Sequence, residues 1–592
     1  MKTTKKLFAL ILALMMVVSI AMPVMATDVV DHSNHKITIT GAPDAYKYEA
    51  HQIFDGEVAK IDVDNNPNTP AELVLTDVNW GANVDAKATF NWPNPANKQE
   101  TISLNLLQAL QSPVINPTSY QLYAGLEFAD PSVKECANAI CDVLSNNNST
   151  ANGLVFADIV ANYLTGEGVE DVDHVISGLT DGYYLVADIT DKDDLLEGAV
   201  RSLFMLRLVE DAIATPKISD VSVDKKLIES DTTSVSGDKN IGDVVKFEIR
   251  GETPDRLEEY DTFYYAFRDI MSEGLELDKN SIKVYTVNNG TTTEITHDGL
   301  YRTVFDEDGV TLSVIFDDLL AVDRHDGYTV QGTTVIVLTY EATVTEAAVL
   351  GSAGNKNSIH LEYSNNPHTD EKGITKDKDV YVYTFGLDVT KIDGKTKAGL
   401  SGAEFVLYRA RQGGNQYAIV ELNEDTGAYV VTGWTGVVPT ETVQAYRDAA
   451  DADKVAKKAE VEENMGCTIE EITFVSGDDG NILIEGLDTD RYWLLETKAP
   501  TGYELDKSPK DFTISATYTA AGALDTLTMT PYGSDPVDGN KTTGFVSFDF
   551  VNNAGNTLPE TGGIGTTLFY VFGGVMAAGA LILLITKKRM AA

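Results

Sequence analysis

Cysteine is scarce, with three residues in 592: Cys136, Cys141 and Cys467. So few thiols cannot make a disulfide framework, and the fold must be held by other means. Cys136 and Cys141 sit five apart in a predicted helix, not quite on one face, which leaves a local disulfide and two free thiols both open. Cys467 reads as a lone thiol. Cationic charge is also short, with 45 Lys and Arg against 90 Asp and Glu and a formal net charge of −45. Nothing in such a chain would neutralise a phosphate backbone, so nucleic acid is excluded as a partner and the acidity reads as solubility. The eight histidines show no metal-ligand spacing. Asp62-Val63-Asp64-Asn65-Asn66 begins like a calcium loop, but Pro67 stands where the sharp-turn glycine belongs and Leu73 where the bidentate glutamate should be. No Ser/His/Asp or Cys/His arrangement can be assembled either. No metal, no cofactor and no hydrolytic active site are therefore expected.

What the chain does have begins at its two ends. Lys2, Lys5 and Lys6 precede an apolar run from Leu7 to Ile20, and Val24-Met25-Ala26 is a small-x-small cleavage site. Residues 1–26 read as a secretory signal peptide, with the mature chain starting at Thr27. At the other end Leu558-Pro559-Glu560-Thr561-Gly562 is followed by an apolar run from Ile564 to Ile585 and by Lys587-Lys588-Arg589. That run is about long enough to cross a hydrocarbon core at 1.5 Å per residue, and the basic tail would hold it on the cytoplasmic side. The pentapeptide resembles the recognition motif of sortases, transpeptidases of Gram-positive bacteria. The resemblance implies cleavage between Thr561 and Gly562 and transfer of the Thr561 carbonyl to an amine. Asn148-Ser149-Thr150 would be a glycosylation sequon only in a cell with that machinery, and these sorting signals argue against it.

Between the signals the chain is too long for one core, and several domains are expected. Short alternating runs such as Val221 to Leu227, Val244 to Ile249 and Ile359 to Tyr363 read as half-buried strands at close spacing, the pattern of β-sandwiches. The expected fold class is mainly β: tandem immunoglobulin-like sandwiches with small helical insertions. Expected boundaries are an N-terminal domain over 27–214, a middle domain over 215–379, a C-terminal domain over 380–557 and a sorting segment over 558–592. Helical inserts are expected at Ser103–Gln111 and Ser132–Leu144, and a polar helix capped by Thr440 at Thr440–Glu463.

A period of two assigns side chains to faces. In the C-terminal domain Leu387 and Val389 put Lys391 on the apolar face, Tyr492 and Leu494 do the same for Glu496, and Val546, Phe548 and Phe550 do it for Asn552. A lysine, an acid and an amide thus converge on one dry core. Burial there lowers the lysine pKa and raises that of the acid, so both can be neutral. A neutral amine is a nucleophile, and a protonated Glu496 beside it could polarise the Asn552 carboxamide and shuttle protons as ammonia leaves. The product is a Lys391–Asn552 isopeptide bond. The run Tyr492-Trp-Leu-Leu-Glu496-Thr-Lys-Ala-Pro500-Thr-Gly-Tyr503 resembles the E-box of Cna B-type domains, which form this bond in Gram-positive pilins and adhesins.

The middle domain repeats the logic. Val221, Val223 and Leu227 place Lys225, not Lys226, inward; Phe263, Tyr265 and Phe267 place Asp269 there; Ile359, Leu361 and Tyr363 point back to Asn357. Asn355 shares the parity of Asn357, so the partner amide is open between them. These segments resemble the middle domain of backbone pilins, a Cna A-like domain in which aspartate is the catalyst. In the first domain Ile37 and Ile39 are inward, Lys36 turns to solvent, and Gly182 to Asp188 lacks the E-box glutamate, so no bond is expected. Lys217 follows Pro216 in an extended linker. It resembles the acceptor lysine of the pilin motif, although Thr215 and Ile218 depart from the fuller motif.

The order of segments resembles that of major backbone pilins of sortase-assembled pili. The resemblance implies a structural shaft subunit, not an enzyme, linked from Thr561 to Lys217 of the next copy, and supporting adhesion. It implies a class C sortase, neighbouring copies, a housekeeping sortase and peptidoglycan as partners, together with minor pilins and host surface ligands. It also implies secretion and covalent anchoring to the Gram-positive cell wall. The alternative is a solitary wall-anchored adhesin.

Overall fold

The computed structural model describes residues 34–589 apart from 62–71, 94–100, 148, 217–218, 230–231, 258–259, 261, 307–308, 368–369 and 556–563. The chain is mainly strand, built from successive groups of sheets in the order expected of tandem sandwiches. In the first group His35–Ile39 runs parallel to Ala212–Ala214 and antiparallel to Val175–Leu179. Beside it Leu203–Leu208, Gly182–Asp188, Tyr48–Ile61 and Glu72–Trp80 form an antiparallel sheet. Helices cover this sheet through a core that includes Phe54, Leu110, Ile140 and Phe156.

The helices differ in detail from the sequence expectation. The first insert starts at Leu106, because Ser103 is paired in the strand Thr101–Leu104 and Asn105 supplies a reciprocal capping box with Gln108. The second spans Lys134–Asn146. A further helix at Thr150–Ala161, capped by Ser149, was not expected, since its apolar residues are spread around the axis and give no one-sided stripe. The polar insert is two helices, Thr440–Arg447 and Asp451–Met465. Thr440 is its first helical residue and not its cap; Pro439 holds the capping position without a side-chain hydrogen bond.

In the middle group, β1 (Ser222–Glu229), β2 (Val244–Glu252) and β4 (Val335–Val344) are consecutive neighbours in one sheet. β3 (Tyr265–Met271), β5 (Asn355–Ser364) and β6 (Lys378–Tyr383) belong to the facing sheet, in the order β6-β5-β3. Alternate residues of both sheets meet in one core that includes Phe247, Phe267, Leu338 and Leu361. In the last group, β7 (Phe385–Asp393), β8 (Arg491–Lys498) and β9 (Phe545–Asn552) lie in one eleven-stranded sheet whose two halves share a core. β9 runs parallel to β7, so the last strand of this group lies beside its first, with Lys391 opposite Phe550. The C-terminal segment is a helix over Ile564–Arg589. Among the described residues no helix is long and apolar enough to cross a membrane.

Candidate functional site

The middle site joins the two sheets of its sandwich. On β1, Val223, Lys225 and Leu227 are buried while Asp224 is exposed; Lys226 points outward to an ion pair with Asp224 at 3.0 Å. Lys225 therefore enters the core from one sheet, and Asp269 of β3 and Asn357 of β5 meet it from the other. The side chains of Lys225 and Asp269 are fully buried, and Lys225 Nζ donates to Asp269 Oδ2 and to Asn357 Oδ1, the latter at 2.5 Å. Tyr340 of β4 completes the cluster. Its hydroxyl donates to Asp269 Oδ1 at 2.9 Å and accepts from Asn357 Nδ2 at 2.8 Å. The Tyr340 ring stacks on Phe247 at 5.1 Å, and Lys225 Nζ lies 5.4 Å from the Phe247 ring centre.

Burial dominates the electrostatics here. It pushes the Lys225 ammonium down to about 8, against the opposing pull of Asp269, and it raises Asp269 above the usual carboxylate range. It also holds the Tyr340 phenol protonated, well above its ordinary value. Asn355, the other amide of the same parity, is spent on the backbone: it accepts from Val349 N at 2.9 Å and donates to the carbonyls of Val349 and Val382 at 3.2 and 3.1 Å. The structure thus brings Asn357, and not Asn355, to the lysine.

The C-terminal site has the same ingredients in another geometry. Lys391 of β7 and Glu496 of β8 have fully buried side chains, with Nζ 3.8 Å from Glu496 Oε1. Lys391 Nζ donates to the Phe550 carbonyl at 3.2 Å and lies 5.2 Å from the Phe550 ring centre. Asn552, one inward position beyond Phe550 on β9, donates from Nδ2 to both Glu496 oxygens at 2.8 and 3.0 Å and to the Glu504 carbonyl at 3.0 Å. Its Oδ1 is buried with no hydrogen-bond partner, which leaves the carboxamide oxygen open to a donor. The Asp506 amide fixes Glu496 by donating to Oε2 at 2.8 Å. Burial lowers Lys391 to about 8, opposed by Glu496 and Asp506. Each site therefore presents an amine that deprotonates readily beside an acid and a primary carboxamide, which is the set needed for acyl transfer from the amide to the amine.

In the first group Ile37 and Ile39 are buried and Lys36 is about half exposed, 3.8 Å from Asp211. The buried carboxylate at the end of Gly182–Asp188 is Asp188, 3.6 Å from Arg201. Cys136, Cys141 and Cys467 are free, the first two buried. Lys217 and the motif Leu558, Pro559, Glu560, Thr561 and Gly562 lie outside the described residues, as do the signal segment 1–26, Asp62 to Asn66 and Asn148. The residues missed from sequence were Tyr340 and the backbone donors and acceptors around Glu496. Tyr340 was legible in part, since Ile336, Leu338, Tyr340 and Ala342 alternate inward along β4.

Comparison with known proteins finds three segments of this chain that match family models. Residues 241–367 match the Gram-positive pilin backbone subunit 2, Cna-B-like domain; residues 385–525 match a prealbumin-like fold domain; and residues 551–591 match the LPXTG cell wall anchor motif. The chain is 26% identical over 413 residues to the trypsin-resistant surface T6 protein of Streptococcus pyogenes serotype M6, covering 62% of this chain and 70% of that protein. It is 31% identical over 102 residues to the fimbrial subunit type 1 of Actinomyces viscosus, which is 17% of this chain and 16% of that one. Among solved structures, the T6 backbone pilin of serotype M6 Streptococcus pyogenes aligns with 89% of this chain and 100% of its own at 15% identity, TM-score 0.48. The full-length major pilin SpaD from Corynebacterium diphtheriae aligns with 89% and 99% at 16% identity, TM-score 0.42. These matches support a pilin-backbone protein with an LPXTG anchor, located as a cell-wall-anchored surface pilus subunit.

Proposed function

We propose that this pilin is the shaft subunit of a covalent polymer, in which sortase joins Thr561 of one copy to Lys217 of the next. On this reading 27–214, 215–379 and 380–557 are its three domains, and the last two are locked by Lys225–Asn357 and Lys391–Asn552 isopeptide bonds. The observation that carries the reading is the pair of lysines sealed at 0% side-chain exposure against an acid, each with an asparagine in the same cluster. A buried ammonium is costly to keep for packing alone. In each site the neutral amine attacks the asparagine Cγ, the acid polarises the carboxamide and returns a proton to the leaving nitrogen, and ammonia departs. Asp269 and Glu496 act only on their own chain, so the protein is a substrate of sortase and not an enzyme in its own right. A class C sortase would polymerise it; a housekeeping sortase would pass the finished shaft to peptidoglycan. The apolar segment after Gly563 would hold the precursor in the membrane until then. Minor pilins and host surface ligands complete the set of proposed partners.

Wall extracts of cells expressing the chain with its sortase, blotted for it, test the polymer. Wild type should give a ladder of high mass, and Lys217→Ala should give only anchored monomer, because the donor carbonyl survives and the acceptor amine does not. Deleting Leu558 to Gly562 should abolish both. A ladder that persists in Lys217→Ala would move the acceptor to another lysine. No ladder from wild type would leave a solitary wall-anchored adhesin.

A further inference from the structure

The two sites differ in how the acid reaches the amide. In the C-terminal site Glu496 touches the leaving nitrogen itself, with Asn552 Nδ2 at 2.8 and 3.0 Å from its oxygens. In the middle site Asp269 gives Oδ2 to Lys225, and its other oxygen meets Asn357 by way of the Tyr340 hydroxyl. Aspartate is one methylene shorter than glutamate, and the hydroxyl spans the gap that the missing methylene leaves. We propose that Tyr340 is a catalytic residue of the middle site, handing a proton to the nitrogen that leaves Asn357. The inference rests on the isopeptide reading above and extends it.

Amide nitrogen leaves only when protonated. In the resting geometry Asn357 Nδ2 is conjugated with its carbonyl and donates to the tyrosine oxygen. When Lys225 Nζ attacks Cγ, conjugation is lost, Nδ2 gains a lone pair, and the hydrogen bond can reverse without any heavy atom moving far. The balance closes within the cluster. The Nζ–Cγ bond forms and the Cγ–Nδ2 bond breaks. Tyr340 gives its hydroxyl proton to Nδ2, Asp269, protonated at the outset, replaces it, and Nζ then gives one proton to Asp269. Ammonia leaves, and both side chains end as they began. The ring is held in place by stacking on Phe247, so the hydroxyl is positioned before reaction and is not drawn in by it. A hydroxyl kept only to satisfy buried polar atoms would sit in the same place, so kinetics must separate the two roles.

The test follows ammonia loss by intact mass in the full chain, collected unfolded from inclusion bodies and refolded by dilution. Peptide mapping assigns each loss to Lys225–Asn357 or Lys391–Asn552, so the C-terminal site is an internal clock in the same molecule. Tyr340→Phe keeps the ring and should slow the middle bond about 100-fold or more, the scale of one general acid, while the C-terminal bond keeps its wild-type rate. Site-specific 3-fluorotyrosine at 340 keeps both size and hydroxyl but makes the phenol more acidic, and should change the middle rate several-fold. An unchanged rate in either protein overturns the role of Tyr340; if Tyr340→Phe fails to fold, the fluorotyrosine chain decides alone. A wild-type chain that never loses ammonia from the middle site overturns the isopeptide reading itself, which is a separate result.

Discussion

Asp269→Asn should remove the middle cross-link while leaving the shape of the core almost intact. The substituted carboxamide has nearly the volume of the carboxylate, but its single oxygen can accept from only one of Lys225 and Tyr340, and it cannot take and return a proton. Lys225 and Asn357 are 132 positions apart. In the chain-entropy treatment of cross-links, opening a loop of that size returns about 5 kcal/mol of conformational freedom to the unfolded state. For a unit of this size that corresponds to a fall in melting temperature of about 10–20 °C. The stranded amine adds a cost in the same direction, because Lys225 loses the carboxylate that offset its desolvation. Lys225→Met removes amine and cross-link together, so the difference between the two variants isolates the cost of the amine. Calorimetry of the full chain, with intact mass on the same samples, reads both quantities. An Asp269→Asn chain that still loses ammonia at both sites refutes the catalytic assignment. One that lacks the bond yet melts with wild type refutes the claim that the cross-link stabilises this unit.

The reactive form of the Lys225–Asp269 pair, a neutral amine beside a protonated acid, holds one proton in total. Its population therefore falls about tenfold per pH unit above the lysine value of about 8, as the last proton leaves, and is level below it down to the pH at which the pair takes up a second proton. Refolding kinetics of the middle bond across pH 6–10 should follow that fall; a rate that rises to pH 8 and then levels would make Asp269 a carboxylate base instead. Asn357→Ala should abolish the middle bond, and Asn355→Ala should keep it but destabilise the fold by about 1–3 kcal/mol, since buried backbone groups of Val349 and Val382 lose their partner. Peptide mapping and melts of the two variants give both answers; a bond lost in Asn355→Ala alone would reverse the choice of amide. Glu496→Ala should remove only the Lys391–Asn552 loss from the mass of the full chain, and retention of that loss would show that the acid at 496 is not needed.

The inward face of each reactive strand was legible because it is written in the nearest neighbours: Val223 and Leu227 around Lys225, Leu387 and Val389 before Lys391, Tyr492 and Leu494 before Glu496. A buried polar residue in such a row stands out against its flanks. What local pattern could not supply was register. Asn355 and Asn357 share a face, and only the pairing of β5 with β6 and β3 sends one to the carbonyl of Val382 and the other to Lys225. Tyr340 was hidden for the converse reason: an aromatic on an inward row is ordinary core, and its hydroxyl acquires meaning only once Asp269 and Asn357 arrive from the opposite sheet. The helix Thr150–Ala161 lacked an apolar stripe, and the break at Asp448 to Ala450 falls in a polar stretch with no glycine or proline to mark it.

On the proposed linkage, the order of the linkage points along the chain would account for two units carrying this chemistry. If tension enters at Lys217 and leaves at Thr561, it reaches Lys225 within a few residues, crosses to Asn357, runs through β5 and β6 to Lys391, crosses again to Asn552, and leaves by the short tail. Everything folded between Lys225 and Asn357, and between Lys391 and Asn552, would be bypassed by the proposed covalent bonds. The stretch between the two bonds is held differently. β6 pairs along β5. Tyr383 hydrogen-bonds to Gly522 O at 2.9 Å, and Asp238 takes the Thr489 amide and the Tyr518 hydroxyl at 2.6 Å each, fastening the middle sheets to the last group. Residues 27–214 precede both proposed linkage points and so would lie outside the load path between them. A unit that carries no shaft tension gains little from a covalent lock, and Lys36, half exposed against Asp211, is placed for solvent and not for reaction. The acid side of the same argument lies in Asp188, whose buried carboxylate is matched by the permanently charged Arg201 and not by a lysine able to shed its proton.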